Sequence, residues 1–285
     1  MTIAYLQEQY LPLEEARISP MDRGFLFGDG IYEVIPSHGG RMVGFGPHMD
    51  RLRAGLAALE IHLDWTTERW REVCERLIQE NGGGSLGIYL HVSRGTDSRR
   101  FHAYPKNIPP TVFAYAFDIP PAPVPDRDTA AGFSVTTAED LRWKRCNIKS
   151  TALLGNVMHF NQGYHGGNNE TILYNERGEV TEAAACNVFV VKDGTIATPP
   201  SDYQILPGIT RLLLLEILRA DGSLPVEERV VTLAELGAAD EVWLTSSTKE
   251  IAPVVMIDGA PVGDGAVGPV WEQALSLFAE YKFDY

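Results

Sequence analysis

Cysteine is scarce: Cys74, Cys146 and Cys186 are the only three in 285 residues. An odd number without CxxC spacing gives neither a disulfide framework nor a cysteine zinc site, and a reducing cytoplasm is the simplest compartment. Positive charge is also in short supply. With 24 Lys and Arg against 38 Asp and Glu the chain carries −14 at pH 7, which disfavours nucleic acid and anionic lipid as partners. A single anion held by a local arginine cluster remains compatible with that balance. Long apolar runs are missing as well, none approaching about 18 residues. The opening MTIAYLQEQYLPLEEARISP has no basic region, apolar core or small-residue cleavage pattern, so neither secretion nor membrane insertion is expected.

What remains is an ordinary globular composition, 45% apolar and 22% charged, long enough at roughly 150 residues per domain for two domains with a sizeable core. The early part of the chain reads as a hairpin: a turn at Gly28-Asp29-Gly30, a strand over 31–35 and a turn at Gly39-Gly40. Met49, Leu52, Leu56 and Leu59 recur at helical spacing from Pro47, and Trp70, Val73, Leu77 and Ile78 repeat the pattern within 65–80. β-rich runs at 86–93 and 111–117 flank a loop, 94–110, that carries prolines and a basic patch. Sites concentrate on such loops.

Four prolines in residues 119–127 resist helix and central strand alike, and place a domain boundary there. Beyond it, Ser150 is a candidate cap for a helix to about Tyr164, strands are expected over 170–175 and 180–191, a helix from about Thr210, a strand near Glu241 and a last helix from Pro269.

Several patterns bear on chemistry. Gly263 to Gly268 is a literal GxGxxG, but only 17 residues follow it, too few for the second strand and acidic residue of a dinucleotide site, so an NAD(P)-binding oxidoreductase is a weak alternative. Arg51, early in a helix, and Ile209-Thr210, opening another, are candidates for one phosphate, because unpaired helix-start N–H groups, a hydroxyl and a guanidinium fork together hold an anion. From pattern alone, the default reading of Arg51 is a solvated helix-face arginine, and that of Thr210 an N-cap. Lys149 just ahead of the expected helix opposes the dipole unless its amine serves another purpose, such as a Schiff base. Glu182 enters the small-residue run Ala183-Ala184-Ala185, where a carboxylate facing a flat ligand would need a cationic or N–H partner. Standing alone, it also reads as an exposed edge-strand carboxylate. His48, His159 and His165 suggest no role, and the last two have the spacing of a helix surface.

Together these residues resemble a known family. FGDGIYEV, PHMDRL, RFHAYP, NIKSTALLGN, GEVTEAAACNVFVV, ILPGITR and SSTKEIAPV follow the order found in class IV, fold-type IV pyridoxal 5'-phosphate (PLP) aminotransferases, closest to the D-amino-acid transaminase branch. The resemblance implies an α/β (α+β) fold in two domains: a smaller N-terminal α/β domain over 1–118, the Pro-rich linker 119–127, and a larger PLP-binding pseudo-barrel domain over 128–285. It further implies a homodimer with its active site at the subunit interface, working on D-amino acids such as D-alanine or D-glutamate and 2-oxo acids.

By the same resemblance Lys149 forms the Schiff base and shuttles the substrate proton. Glu182 pairs with the pyridinium nitrogen, and Leu206 lies against the ring. Arg51, Ile209 and Thr210 form the phosphate cup with Ser246 and Ser247, the register there being open by one residue. Tyr32, Arg100 and His102 hold the substrate carboxylate, Arg100 and His102 arriving from the neighbouring subunit, with Arg99 an alternative to Arg100. The run Ala183 to Cys186 departs from the serines usual at that place, which bears on substrate range. Branched-chain L-amino-acid transaminases, R-selective amine transaminases and aminodeoxychorismate lyases share Lys149 and Glu182 but not the R-x-H loop.

Overall fold

The computed structural model describes all 285 residues, in two compact units. The first comprises Met1–Pro121, Ile148–Leu153 and Tyr285; the second comprises Ala122–Asn147 and Leu154–Asp284. The stretch that holds Lys149, which a linear division of the sequence assigns to the second domain, therefore packs with the first.

In the first unit the elements are β1 (Ile3–Leu6), β2 (Gln9–Pro12), α1 (Arg23–Phe27), β3 (Gly30–His38), β4 (Arg41–Met42), α2 (Phe45–Ala58), α3 (Thr67–Glu80), β5 (Ser85–Ser93) and β6 (Thr111–Asp118). The six strands form one antiparallel sheet in the order β2-β1-β6-β5-β3-β4. Strand alternation gives the sheet two unlike faces. Ile31, Ile35, Ile88 and Leu90 join Leu52 and Leu56 of α2 and Trp70 and Leu77 of α3 in the core, each such side chain contributing about 1.5–3 kcal/mol on burial. The intervening positions carry the rings of Tyr32, Tyr89, Phe113 and Tyr115, in contact with one another. Thr66 caps α3 by accepting from the Arg69 N–H at 3.2 Å.

The second unit contains β7 (Phe133–Glu139), α4 (Leu154–His165), β8 (Glu170–Tyr174), β9 (Val180–Ala183), β10 (Asn187–Lys192), β11 (Thr195–Thr198), α5 (Ile209–Asp221), β12 (Val226–Glu228), α6 (Leu233–Gly237), β13 (Glu241–Ser246), β14 (Glu250–Ile257), β15 (Ala260–Pro261) and α7 (Pro269–Tyr281). Its sheet runs β12-β11-β10-β13-β14-β7-β8-β9, with β15 paired to β14. The last strand of that path curls back on β10: Asn187 Nδ2 donates to Glu182 Oε2 at 3.2 Å, and the Ala183 N–H to the Cys186 carbonyl at 2.7 Å. One core follows from the curl, drawn from Val135, Ile172, Val180, Val188, Leu244 and Val254 on six different strands.

Two local expectations change. The helix near Ser150 starts only at Leu154; Ser150 instead forms a bridge with Ile31, because the backbone of this stretch is drawn into pairing with β3. The expected strand over 180–191 is two strands broken at residues 184–186, a reversal that small side chains make room for. The GxGxxG segment is the expected loop, entering α7, and the helix N-terminus where a pyrophosphate would sit is taken by the Glu241 carboxylate, which accepts from Val270 N at 2.9 Å and Trp271 N at 2.8 Å.

Candidate active site

Lys149 is half-buried in an extended stretch, not in the first turn of a helix, so the helix dipole is not what distinguishes it. Its carbonyl accepts from Tyr32 N at 3.1 Å, and Thr151 N donates to the Gly30 carbonyl at 2.9 Å. These bonds extend the β3 pairing and place Lys149 Nζ 4.2 Å from the centre of the Tyr32 ring, a cation–π contact that orients the amine. At the start of β3, Gly28 adopts φ 65°, and a Cβ there would lie 2.9 Å from Ala152 Cα; only glycine lets the turn pack so closely on the lysine stretch.

Arg51 is not a solvated helix-face residue. Its Nε and Nη2 donate to the two oxygens of the fully buried Glu33, at 2.8 and 2.7 Å, and His48 Nδ1 lies 2.7 Å from the same carboxylate. Burial alone would raise the Glu33 carboxyl, but the Arg51 charge and hydrogen bonds, with His48, outweigh it and hold Glu33 down to about 2. Burial pushes His48 the other way, downward, against the pull of Glu33. Neither Glu33 nor His48 stands out in the sequence. The only signal is a carboxylate on the apolar face of a strand, two residues from Ile31 and Ile35, where it needs a cationic partner.

In the second unit Glu182 is buried at the end of β9 and every oxygen is engaged. Oε1 accepts from Arg142 Nη1 at 2.6 Å; Oε2 accepts from Asn187 Nδ2 and from the Leu206 N–H at 2.9 Å. Burial pushes this carboxyl up to about 7, opposed by Arg142. Arg142 is fixed in turn by Asp140, with bonds of 2.9 and 2.7 Å to its two oxygens. Glu182 is thus a buried carboxylate on a braced guanidinium, not an exposed edge-strand residue. Asp140, Arg142 and Asn187 escape sequence reasoning because their pairing joins the segment after β7 to β9 and β10.

Leu206 is locked through its backbone, donating to Glu182 and accepting from Asn187 Nδ2 at 2.9 Å. Gly208 follows, where a Cβ would lie 2.0 Å from Asn187 Oδ1. Gly208 is itself the N-cap of α5 and offers no side-chain cap, so Thr210 is a buried first-turn residue and not the cap. The N–H groups of Ile209 and Thr210 point out of an uncapped helix start, as an anion site requires. Ser246 ends β13 with a buried hydroxyl beside the Cys186 thiol, and Ser247 lies in the turn that follows.

On the exposed loop of the first unit, Arg100 Cζ and the His102 ring both lie against Phe27, 4.9 and 5.3 Å from its ring centre. Arg99 turns instead to Phe101, 4.5 Å from that ring. His159, expected at a helix surface, is buried and accepts from Leu141 N at 3.2 Å; His165 is exposed, as its spacing suggests. No helix is long and apolar enough to cross a membrane.

The chain matches the family model of class IV aminotransferases over residues 30–257 and belongs to that family, whose enzymes depend on pyridoxal phosphate. It is 39% identical over 270 residues to the D-alanine aminotransferase of Listeria monocytogenes, spanning 94% of this chain and 91% of that one. With the D-alanine aminotransferase of Staphylococcus haemolyticus it shares 38% over 287 residues, covering 99% and 98%. The fold matches that of the Escherichia coli branched-chain amino acid aminotransferase, with TM-score 0.88 at 24% identity over 98% and 93% of the two chains. It likewise matches the T.th. branched-chain amino acid aminotransferase complexed with N-(5'-phosphopyridoxyl)-L-glutamate, with TM-score 0.89 at 23% identity over 99% and 94%.

Proposed function

We propose that this protein moves an amino group between a D-amino acid, such as D-alanine or D-glutamate, and a 2-oxo acid, using pyridoxal 5'-phosphate held by Lys149. When bound, that group supplies an electron sink for the negative charge that develops at the substrate Cα. The residues fit it. Glu182, braced by Arg142, presents the buried carboxylate that a protonated ring nitrogen calls for. The uncapped start of α5 at Ile209 and Thr210, the hydroxyls of Ser246 and Ser247, and Arg51 supply donors for a phosphate. Leu206, fixed by its backbone, serves as the apolar surface for the ring. Lys149 takes the proton from the substrate Cα and returns it on the other side of the exchange, and the Tyr32 ring keeps its amine in place.

The choice of a D-amino acid rests on Arg100 and His102. A guanidinium grips a carboxylate bidentately and thereby fixes which face of Cα meets the lysine. The observation that carries this reading is the shared seat of these two side chains on Phe27, which favours Arg100 over Arg99, together with identities of 35–40% to D-alanine aminotransferases over nearly the whole chain. The active form we propose is a cytoplasmic homodimer in which this loop serves the neighbouring subunit. Exposed Leu154, Val157 and Met158 on α4 offer apolar surface for such an assembly.

The test is the visible absorption of the purified holoenzyme before and after D-alanine, and separately L-leucine. Loss of the lysine-bound cofactor band with D-alanine alone is expected. Loss with L-leucine alone would leave the cofactor and Lys149 in place and overturn the reading of the Arg100 loop.

A further inference from the structure

The loop that carries Arg100 and His102 has neither helix nor strand between Arg99 and Tyr104, and its side chains are exposed. A loop of that kind would pay conformational entropy each time it closed on a ligand unless its backbone were fixed beforehand. It is fixed, by a side chain that plays no part in the chemistry described so far. Arg23, the first residue of α1, is 3% exposed. Its Nη1 donates to the Phe101 carbonyl at 2.5 Å and its Nη2 to the His102 carbonyl at 3.3 Å.

A buried guanidinium is stable only when paired, and Asp29 pairs it, Oδ2 accepting from Arg23 Nε at 2.8 Å. The same carboxylate accepts from Arg94 Nε at 2.8 Å and Nη2 at 3.0 Å. Arg94 in turn donates to the Leu59 and Glu60 carbonyls at 2.6 and 3.1 Å and lies 3.5 Å from the centre of the Tyr104 ring. The loop is thus pinned at Phe101 and His102 by Arg23 and at Tyr104 by Arg94, with Asp29 joining the two pins. Asp22 secures α1 from the other side, accepting from Gly24 N, Ser93 Oγ and Thr111 Oγ1 at 2.8, 2.7 and 2.6 Å. Phe27, four residues on from Arg23, is the ring on which Arg100 and His102 rest, and Gly28 packs on Ala152 beside the lysine stretch.

We propose that Arg23 is a positioning residue of the substrate-carboxylate grip: clamped by Asp29, it fixes the backbone at Phe101 and His102, and so sets the enzyme's preference for amines that carry an α-carboxylate. This rests on the assignment of Arg100 and His102 to the substrate carboxylate.

The test compares holoenzymes of the wild type, Arg23→Gln, Arg23→Lys, Asp29→Asn and Arg100→Ala, with D-alanine and with D-alaninol, which lacks the carboxylate. Arg100→Ala raises the KM for D-alanine. Arg23→Gln raises it about tenfold or more while kcat stays within about threefold, because misplacing a binding group weakens capture of the carboxylate before it touches the lysine. Its efficiency with D-alaninol stays near the wild type, and Arg23→Lys recovers part of the loss. Should Arg23→Gln fail to accumulate as folded protein, Asp29→Asn, which preserves shape and removes the clamping charge, shows the same split in smaller measure. An unchanged KM in both Arg23→Gln and Asp29→Asn, or an equal loss with D-alanine and D-alaninol, overturns the proposal while the Arg100 assignment stands. An unchanged KM in Arg100→Ala overturns that assignment and this proposal with it.

Discussion

Arg142 and Glu182 meet 2.6 Å apart in the second unit, both almost wholly enclosed, with Asp140 gripping the far side of the guanidinium. An acidic group therefore stands at each end of one buried cation, and the geometry of Glu182 depends on a residue 40 positions away in sequence. Arg142→Met removes the brace and leaves two buried carboxylates without their counter-charge. Its expected cost is about 3 kcal/mol of unfolding free energy, read as a lower urea midpoint for the cofactor-free protein. An unchanged midpoint would refute the account of the brace.

Lys149→Ala should lose turnover altogether and with it the absorption of the lysine-bound cofactor, while the circular dichroism of the fold persists, since Lys149 is half-buried and its structural bonds are made by backbone. Full activity in this variant would remove the proposed mechanism.

Glu33 gives the acid limb of stability. Its carboxyl is held near 2, well below its usual value, so it contributes stability that is fully present above about pH 4.5 and is lost as the pH falls toward 2. A shift of that size is worth on the order of 3 kcal/mol. Glu33→Gln should flatten the dependence of the urea midpoint on pH in this range, and an equally steep dependence in the variant would show that the Arg51 and His48 contacts do not set it.

Arg51→Ala is expected to weaken the cofactor's hold if Arg51 is the phosphate donor proposed above, and it strands the buried Glu33 charge as well. Equilibrium dialysis should show at least a tenfold rise in Kd for pyridoxal phosphate, about 1.4 kcal/mol. Wild-type affinity would remove Arg51 from the phosphate site.

Arg99 and Arg100 are adjacent and chemically alike, but only Arg100 shares Phe27 with His102. Arg100→Ala is accordingly expected to raise the KM for D-alanine by about tenfold or more and Arg99→Ala by less than about twofold. The reverse order would transfer the carboxylate to Arg99.

Much of the secondary structure was legible because periodicity survives in the sequence. Trp70, Val73, Leu77 and Ile78 mark α3 and its buried face, and the alternation through Ile31 to Ile35 marks β3. Candidate site residues stood out only where a motif suggests its own chemistry, as at Lys149, Glu182 and the Ile209-Thr210 helix start. Ser150 misled as a helix cap because a hydroxyl ahead of an apolar run caps helices in general, whereas here the backbone is claimed by Ile31. His48 gave no signal and Glu33 only that of a carboxylate on an apolar strand face, since a histidine on one helix and a glutamate on one strand say nothing of each other until a sheet and a helix are packed.

By itself the sequence determined the class of the protein: a globular acidic chain, poor in cysteine, with the ordered motifs of the class IV aminotransferases. Tertiary structure decided which charges neutralise which. Arg51 with Glu33, Arg142 with Glu182, and Arg23 with Arg94 on Asp29 are pairs between separate strands, helices and turns. Burial makes each pairing obligatory, because an enclosed charge without a partner is too costly to keep, and burial is a property that only the folded chain possesses.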